Sequence, residues 1–216
     1  MDTTTVLATT TAVATAGWAL TGGYADGLRQ RLHTDPMTGI GNRAALTTLA
    51  RRAARRGRWG GAVGVLMVDV DRFKAINDTW GHETGNTVLT AIAGRLAGLC
   101  RGSEVAIRLH GDEFALWLGA LPTGPAGQQT AALRGQAVRA ALVDPIDVAT
   151  PDRVLRLAVS VSVGPAVLPG NGLQLAALLA AADRALYEAK RATYRTTPPL
   201  PTPPGHRLRD TRKDAA

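Results

Sequence analysis

Four carboxylates fall in two short runs of this sequence. One run is Asp69-Val70-Asp71-Arg72-Phe73-Lys74, which follows a stretch of apolar residues; the other is His110-Gly111-Asp112-Glu113, between two strand-like segments. If the first run ends a strand and the second tips a neighbouring hairpin, several hard oxygen donors converge on one edge of a sheet. That density of carboxylates suits magnesium bound together with substrate phosphates, and Lys74 would meet those phosphates as a point charge. The alternative is a set of solvated loop acids, and either motif by itself favours it.

The elements that must carry these residues are legible in the hydrophobic pattern. Ala62 to Val68 is a continuous run without a polar side chain, set off by glycines before it, the mark of a strand buried on both faces, and it delivers Asp69 and Asp71 to its C-terminal end. Glu104 to Leu109 and Phe114 to Leu118 read as two strands of a hairpin in which Gly111 supplies a positive φ at little cost. Leu155, Leu157, Val159, Val161 and Val163 alternate, predicting one strand from Val154 to Val163 with a single face in the core. Helices are predicted from Asn42 to Arg56, Phe73 to Thr79, Thr84 to Leu99, Gln128 to Leu142 and Leu173 to Arg191. Residues 24–33 also have helical spacing, which Pro36 and Gly39 end.

Composition narrows the function classes. The chain has 216 residues, 45% of them apolar, enough for one domain with extensions. Its net charge of +8 is carried mostly by arginine. Arg51, Arg52, Arg55, Arg56 and Arg58 cluster, but with only Trp59 nearby and no helix-turn-helix or zinc pattern they read as a solvated helix face, not a nucleic-acid surface. The single cysteine, Cys100, excludes a disulfide within the chain and reads as a packed thiol. Residues 3–25 hold no charge and reach the length of a membrane span. Arg29 and Arg31 follow them, which by the positive-inside rule puts everything downstream in the cytoplasm. The expectation is therefore a single-pass protein of the cell membrane with a cytoplasmic catalytic domain, or otherwise a cytoplasmic one. Asp2 in place of a basic start argues against a secretory signal. The expected division is an apolar segment at 1–25, a linker helix at 26–34, a folded domain at 35–195, and a disordered, Pro-rich basic tail at 196–216.

Taken in order, the motifs become specific. The chain carries Asp35-Pro36-Met37-Thr38-Gly39-Ile40-Gly41-Asn42-Arg43, then Asp69 to Asp78, Gly81-His82-Glu83-Thr84-Gly85-Asn86, Arg108-Leu109-His110-Gly111-Asp112-Glu113-Phe114, and Ala182-Asp183-Arg184-Ala185-Leu186-Tyr187-Glu188-Ala189-Lys190. This succession resembles the GGDEF domain of diguanylate cyclases over residues 33 to 195. The resemblance implies an α/β, palm-like nucleotidyl cyclase fold, a central, mainly antiparallel sheet flanked by helices. It implies condensation of two GTP molecules into cyclic di-GMP and pyrophosphate with Mg2+ or Mn2+, at the interface of a homodimer. Carried over by position, it makes Asp69, the Val70 carbonyl, Asp112 and Glu113 the metal-binding groups. Asp112, Glu113 and Lys74 become catalytic, with Asp112 the candidate base for the ribose 3′-hydroxyl. Phe73, Asn77, His82, Asn86 and Lys190 become substrate contacts, Asn77 and Asn86 facing the guanine. Arg101 and Glu104 match the family's product-inhibition site for cyclic di-GMP.

Several positions depart from the family pattern. His110 stands where the signature has glycine, adding bulk at the hairpin tip. Asn86 replaces the usual aspartate; an amide offers one acceptor where a carboxylate offers two, so a contact to the donors of the guanine edge is lost. Glu104 lengthens an aspartate by one methylene. Tyr194 takes the place of a phosphate-contacting arginine, with Arg195 next to it. These departures leave a second reading beside the cyclase: a degenerate domain that binds GTP or cyclic di-GMP without turnover and signals through a partner.

Overall fold

The computed structural model describes residues 32–56, 61–150 and 153–196, with the side chains of 193–196 left aside. In chain order the elements are α1 (Arg43–Arg56), β1 (Ala62–Val70), α2 (Phe73–Trp80), α3 (His82–Gly98), β2 (Val105–His110), β3 (Glu113–Leu121), α4 (Gly124–Leu142), β4 (Ile146–Ala149), β5 (Val154–Leu157), β6 (Val161–Pro169) and α5 (Leu175–Thr196). A four-stranded sheet runs β2-β3-β1-β6, with β1 antiparallel to both neighbours and β2 antiparallel to β3. The architecture is α/β with a central antiparallel sheet flanked by helices.

Every residue of β1 is buried, as a strand covered on both faces requires. The two-residue period splits its side chains between two cores. Leu66, Val68 and Val70 join Phe114, Leu116, Val161 and the inward stripe Val88, Leu89, Ile92, Ala93 and Leu96 of α3. Val63, Val65 and Met67 join Ala115, Trp117, Leu46 of α1, and Leu178, Ala182 and Leu186 of α5. Each fully buried Leu, Val or Phe contributes about 1.5–3 kcal/mol, so the two faces together fix the register of β1. Parity then decides where Asp69 goes: it shares the face of Val65 and Met67, beneath α5.

Gly164 sets how near α5 lies. A Cβ there would come within 2.3 Å of both the Ala182 carbonyl and the Leu186 amide. Only a glycine lets the helix backbone rest directly on β6, and one turn beyond Leu186 the helix carries Lys190.

Three sequence expectations change. The strand expected from Val154 to Val163 is broken: β5 pairs with β4 as a separate ribbon, and β6 runs on to Pro169 in the main sheet. The helix expected from Gln128 begins at Gly124, with Pro125 in its first turn, where a missing N–H leaves no bond unmade. The single-pass membrane location is corrected: among the described residues no helix is long and apolar enough to cross a membrane. Residues 3–25, on which that expectation rested, lie outside the described residues, as do most of the linker helix and the tail.

Candidate active site

The two carboxylate runs meet. Asp69, the last residue but one of β1, lies directly opposite Glu113, which opens β3, and the Val70 amide donates to the Asp112 carbonyl at 3.3 Å. Opposed residues of an antiparallel pair project to one face, so Asp69 and Glu113 stand side by side under α5. Lys190 reaches down from that helix to place Nζ 2.8 Å from Asp69 Oδ2. Asp69 is buried, at 5% exposure. Burial pushes its carboxyl up to about 6; the Lys190 hydrogen bond and charge oppose this, while Asp112 and Glu113 add to it. Asp69 therefore holds the lysine while Asp112 and Glu113 add negative charge close by. That surplus of negative charge on hard oxygen donors fits a divalent cation such as Mg2+ or Mn2+, although among the described residues no three acids or histidines already converge at ligand distance.

Asp71, the other acid of the strand end, is turned to a different use. Ser162 donates to its Oδ1 at 2.6 Å and Ser160 to its Oδ2 at 2.7 Å. The Asp71 amide also donates to the Ser160 carbonyl at 2.9 Å. This buried carboxylate ties β1 to β6 and anchors the turn that follows. There Arg72 takes a left-handed conformation at φ 56°, swinging the chain from strand into α2. Such a conformation costs a non-glycine residue of order 1 kcal/mol.

The hairpin tip is held by Arg108 of β2 and by Asp35 outside the sheet, residues to which the sequence assigned no part in the site. Arg108 donates from Nε and Nη2 to the Gly111 carbonyl at 3.1 and 2.8 Å, and from Nη1 to Asp35 Oδ1 at 3.2 Å. Asp35 Oδ1 also accepts from the amide and hydroxyl of Thr38. Burial would raise the Asp35 carboxyl, yet the Thr38 and Arg108 bonds outweigh it and hold it below its ordinary value. The segment from Asp35 is in turn stitched to the edge of β2, with the Gly41 amide donating to the Ala106 carbonyl and the Arg108 amide to the Gly41 carbonyl. An Asp and an Arg separated by 73 residues carry no local signal; only the shared motif order could have suggested the pair. At the tip itself His110 pairs in register with Glu113, and its Nε2 lies 3.3 Å from Glu113 Oε2.

Across the sheet end, α2 and α3 bring Phe73, Asn77, Gly85 and Asn86 together. A Cβ on Gly85 would stand 1.9 Å from Asn77 Oδ1 and 3.1 Å from Phe73 Cζ, so glycine is what admits the Asn77 amide there. Asn77 Oδ1 is buried and accepts no hydrogen bond. His82, Asn86 and Lys74 are exposed. Tyr194 and Arg195 belong to the side chains outside the described residues.

Arg101 and Glu104 do not face each other as an exposed ion pair. Glu104 instead receives a fork from Arg134 of α4, at 2.9 and 2.7 Å, and the backbone amide of Arg101 at 2.9 Å. Burial raises the Glu104 carboxyl, but these bonds more than offset it and leave it below its ordinary value. Arg134 also donates to the Leu99 carbonyl, so the pair locks α4 to the end of α3. Arg101 itself is exposed.

Comparison with known proteins decides the family. Residues 32–196 match the model of the diguanylate cyclase GGDEF domain, which is more than half of the chain. The chain belongs to the GGDEF family. It is 38% identical over 165 residues to the diguanylate cyclase TpbB of Pseudomonas aeruginosa, an alignment covering 76% of this chain and 36% of TpbB. The chain thus spans about a third of that relative's length. Among solved structures, the diguanylate cyclase SiaD of Pseudomonas aeruginosa, in complex with its activator SiaC, is similar with a TM-score of 0.71 and 30% identity, covering 86% of this chain and 68% of SiaD. The coiled coil and GGDEF domain of DgcB from Caulobacter crescentus, in complex with c-di-GMP, matches with a TM-score of 0.69 and 26% identity, covering 86% and 95% of the two chains.

Proposed function

We propose that this GGDEF domain is a diguanylate cyclase, condensing two GTP molecules into cyclic di-GMP and two pyrophosphates between two facing copies. The observation that carries the reading is the apposition of Asp69, Asp112 and Glu113 at one sheet edge with Lys190 among them.

Asp69, Asp112, Glu113 and the Val70 carbonyl would hold Mg2+ or Mn2+. That ion supplies Lewis-acid stabilisation of the charge on the phosphates and eases ionisation of the attacking hydroxyl. Asp112 takes the proton of the ribose 3′-hydroxyl of one GTP. The 3′-oxygen forms a bond to the α-phosphorus of the facing GTP as the bond to pyrophosphate breaks, and the same step in the other direction closes the ring. Lys190 exchanges Asp69 for the triphosphate, and Lys74, exposed at the start of α2, meets it from the other side. Asn77, Asn86, Phe73 and His82 hold the base. The orphaned Asn77 Oδ1 supports this part of the reading, because a buried acceptor without a donor costs about 1–3 kcal/mol that a guanine N–H would relieve. Arg101 is proposed as a contact for cyclic di-GMP in product inhibition, with Glu104 held back by Arg134.

The test is product analysis with GTP, ATP and both together in the presence of Mg2+, beside the Asp112→Ala variant. A cyclic dinucleotide that disappears in the variant is the expected result. Absence of product with GTP still bound would replace the cyclase with the non-catalytic receptor.

A further inference from the structure

His110 is the residue at the site that this chain does not share with the family signature, and its placement gives it a partner. The ring belongs to the last residue of β2, across from Glu113, which itself lies across from Asp69. The three side chains thus form one row over three adjacent strands, on the face covered by α5. A bulge between Arg108 and His110 gives β2 the extra residue that brings the imidazole into this row.

The separation of His110 Nε2 from Glu113 Oε2, 3.3 Å, is long for a charge-assisted N–H···O bond, which closes to about 2.7–2.9 Å. An ion pair and two donors held on one ion can both show this separation. Donors each about 2.1 Å from a metal lie about 3.0 Å apart at a right angle and about 3.4 Å apart at the tetrahedral angle. The pair is also open: His110 is 63% exposed and Glu113 30% exposed, so neither donor is walled off from an ion or its waters.

We propose that His110 is a metal-selectivity residue, its imidazole joining Glu113 on one cation so that the site favours Mn2+ over Mg2+. This rests on the metal-binding role given above to Glu113. The chemistry is that of ligand preference: manganese, although it too is at home among oxygen donors, opens the series of transition ions that take nitrogen ligands, whereas magnesium holds to oxygen and keeps its waters. A glycine at position 110 would supply no side-chain donor, and the site would be all oxygen.

The test uses the full chain without nucleotide, so that no base nitrogen can contribute. Pulsed electron paramagnetic resonance on Mn2+-loaded protein reads imidazole nitrogen bound to the ion, and competition titration reads the ratio of Mn2+ to Mg2+ affinity. The expected result is a nitrogen coupling that persists in His82→Gln and vanishes in His110→Gly. The affinity ratio should fall about tenfold in His110→Gly, the scale at which groups around a metal act. His110→Gln, which keeps bulk at the tip, should behave like the glycine variant and so separate loss of the donor from a relaxed hairpin. Mn2+ bound without the coupling, or an unchanged ratio, overturns the proposal while leaving the metal site standing. No binding of either ion by the unaltered protein would overturn both.

Discussion

At the proposed base site, Gly85 and Asn86 are neighbours with separate parts. Gly85 is the clearance into which the Asn77 amide fits. In Gly85→Ala the new methyl must displace Asn77 Oδ1, so the base-facing amide moves while the buried face of α3 remains. Overpacking of this kind costs about 1–3 kcal/mol. The expected outcome is a folded protein whose melting temperature drops modestly and whose affinity for GTP falls at least tenfold, read by calorimetry of GTP binding beside thermal unfolding. Asn86 sits next to it on the exposed side. A carboxylate there regains the second acceptor for the guanine edge, worth about 1–3 kcal/mol against an unpaired donor. Asn86→Asp should therefore raise the preference for GTP over ATP by about one to two decades in a competition assay.

Two ion pairs join elements distant in sequence, and each makes a separable prediction. Arg108 spans from Asp35 to the Gly111 carbonyl and so fixes the hairpin tip against the turn that precedes α1. Arg108→Ala should leave the sheet intact but loosen the tip, lowering turnover more than GTP affinity; hydrogen exchange at Gly111 and Asp112 should rise. Glu104 and Arg134 instead lock α4 to α3, with side chains 10% and 9% exposed. Because the folded Glu104 holds its carboxyl below the usual value near 4.5, its contribution to stability is complete above that pH. It is lost as pH falls through the depressed folded value. Unfolding free energy measured from pH 6 down to pH 3 should fall more steeply in the unaltered protein than in Glu104→Gln, and the variant should be about 3 kcal/mol weaker at pH 7. Neither pair was legible in advance. The sequence did reveal β1, the hairpin and five helices, because periodicity and apolar runs are local properties. It ran β5 and β6 together, since the alternation from Leu155 to Val163 is continuous although the strands pair with different partners. It brought Asp69, Asp112 and Glu113 to one edge, but placed Asp71 there too; the hydroxyls of Ser160 and Ser162 that claim Asp71 lie some 90 residues away and leave no pattern near it.

At the scale of the whole molecule, the proposed reaction is larger than the domain. Each copy offers one sheet edge with one acid set and one lysine among them, whereas a cyclic dinucleotide needs two phosphodiester bonds made in opposite directions. A closed pair of copies related by two-fold symmetry supplies both, each site forming one bond. A pair with one disabled site would then stop at the linear intermediate. With equal amounts of the unaltered protein and Asp112→Ala allowed to exchange at fixed total concentration, only about one quarter of the pairs are fully competent. Cyclic product should fall to that fraction and a linear dinucleotide should accumulate. A single domain completing both bonds by itself would instead retain half of the activity, so the ratio of cyclic to linear product, followed by chromatography as the mixing ratio is varied, separates a shared reaction from two independent ones. The same arrangement predicts that specific activity rises with protein concentration until pairing is complete, and that a fused dimerising helix removes this dependence without raising the plateau.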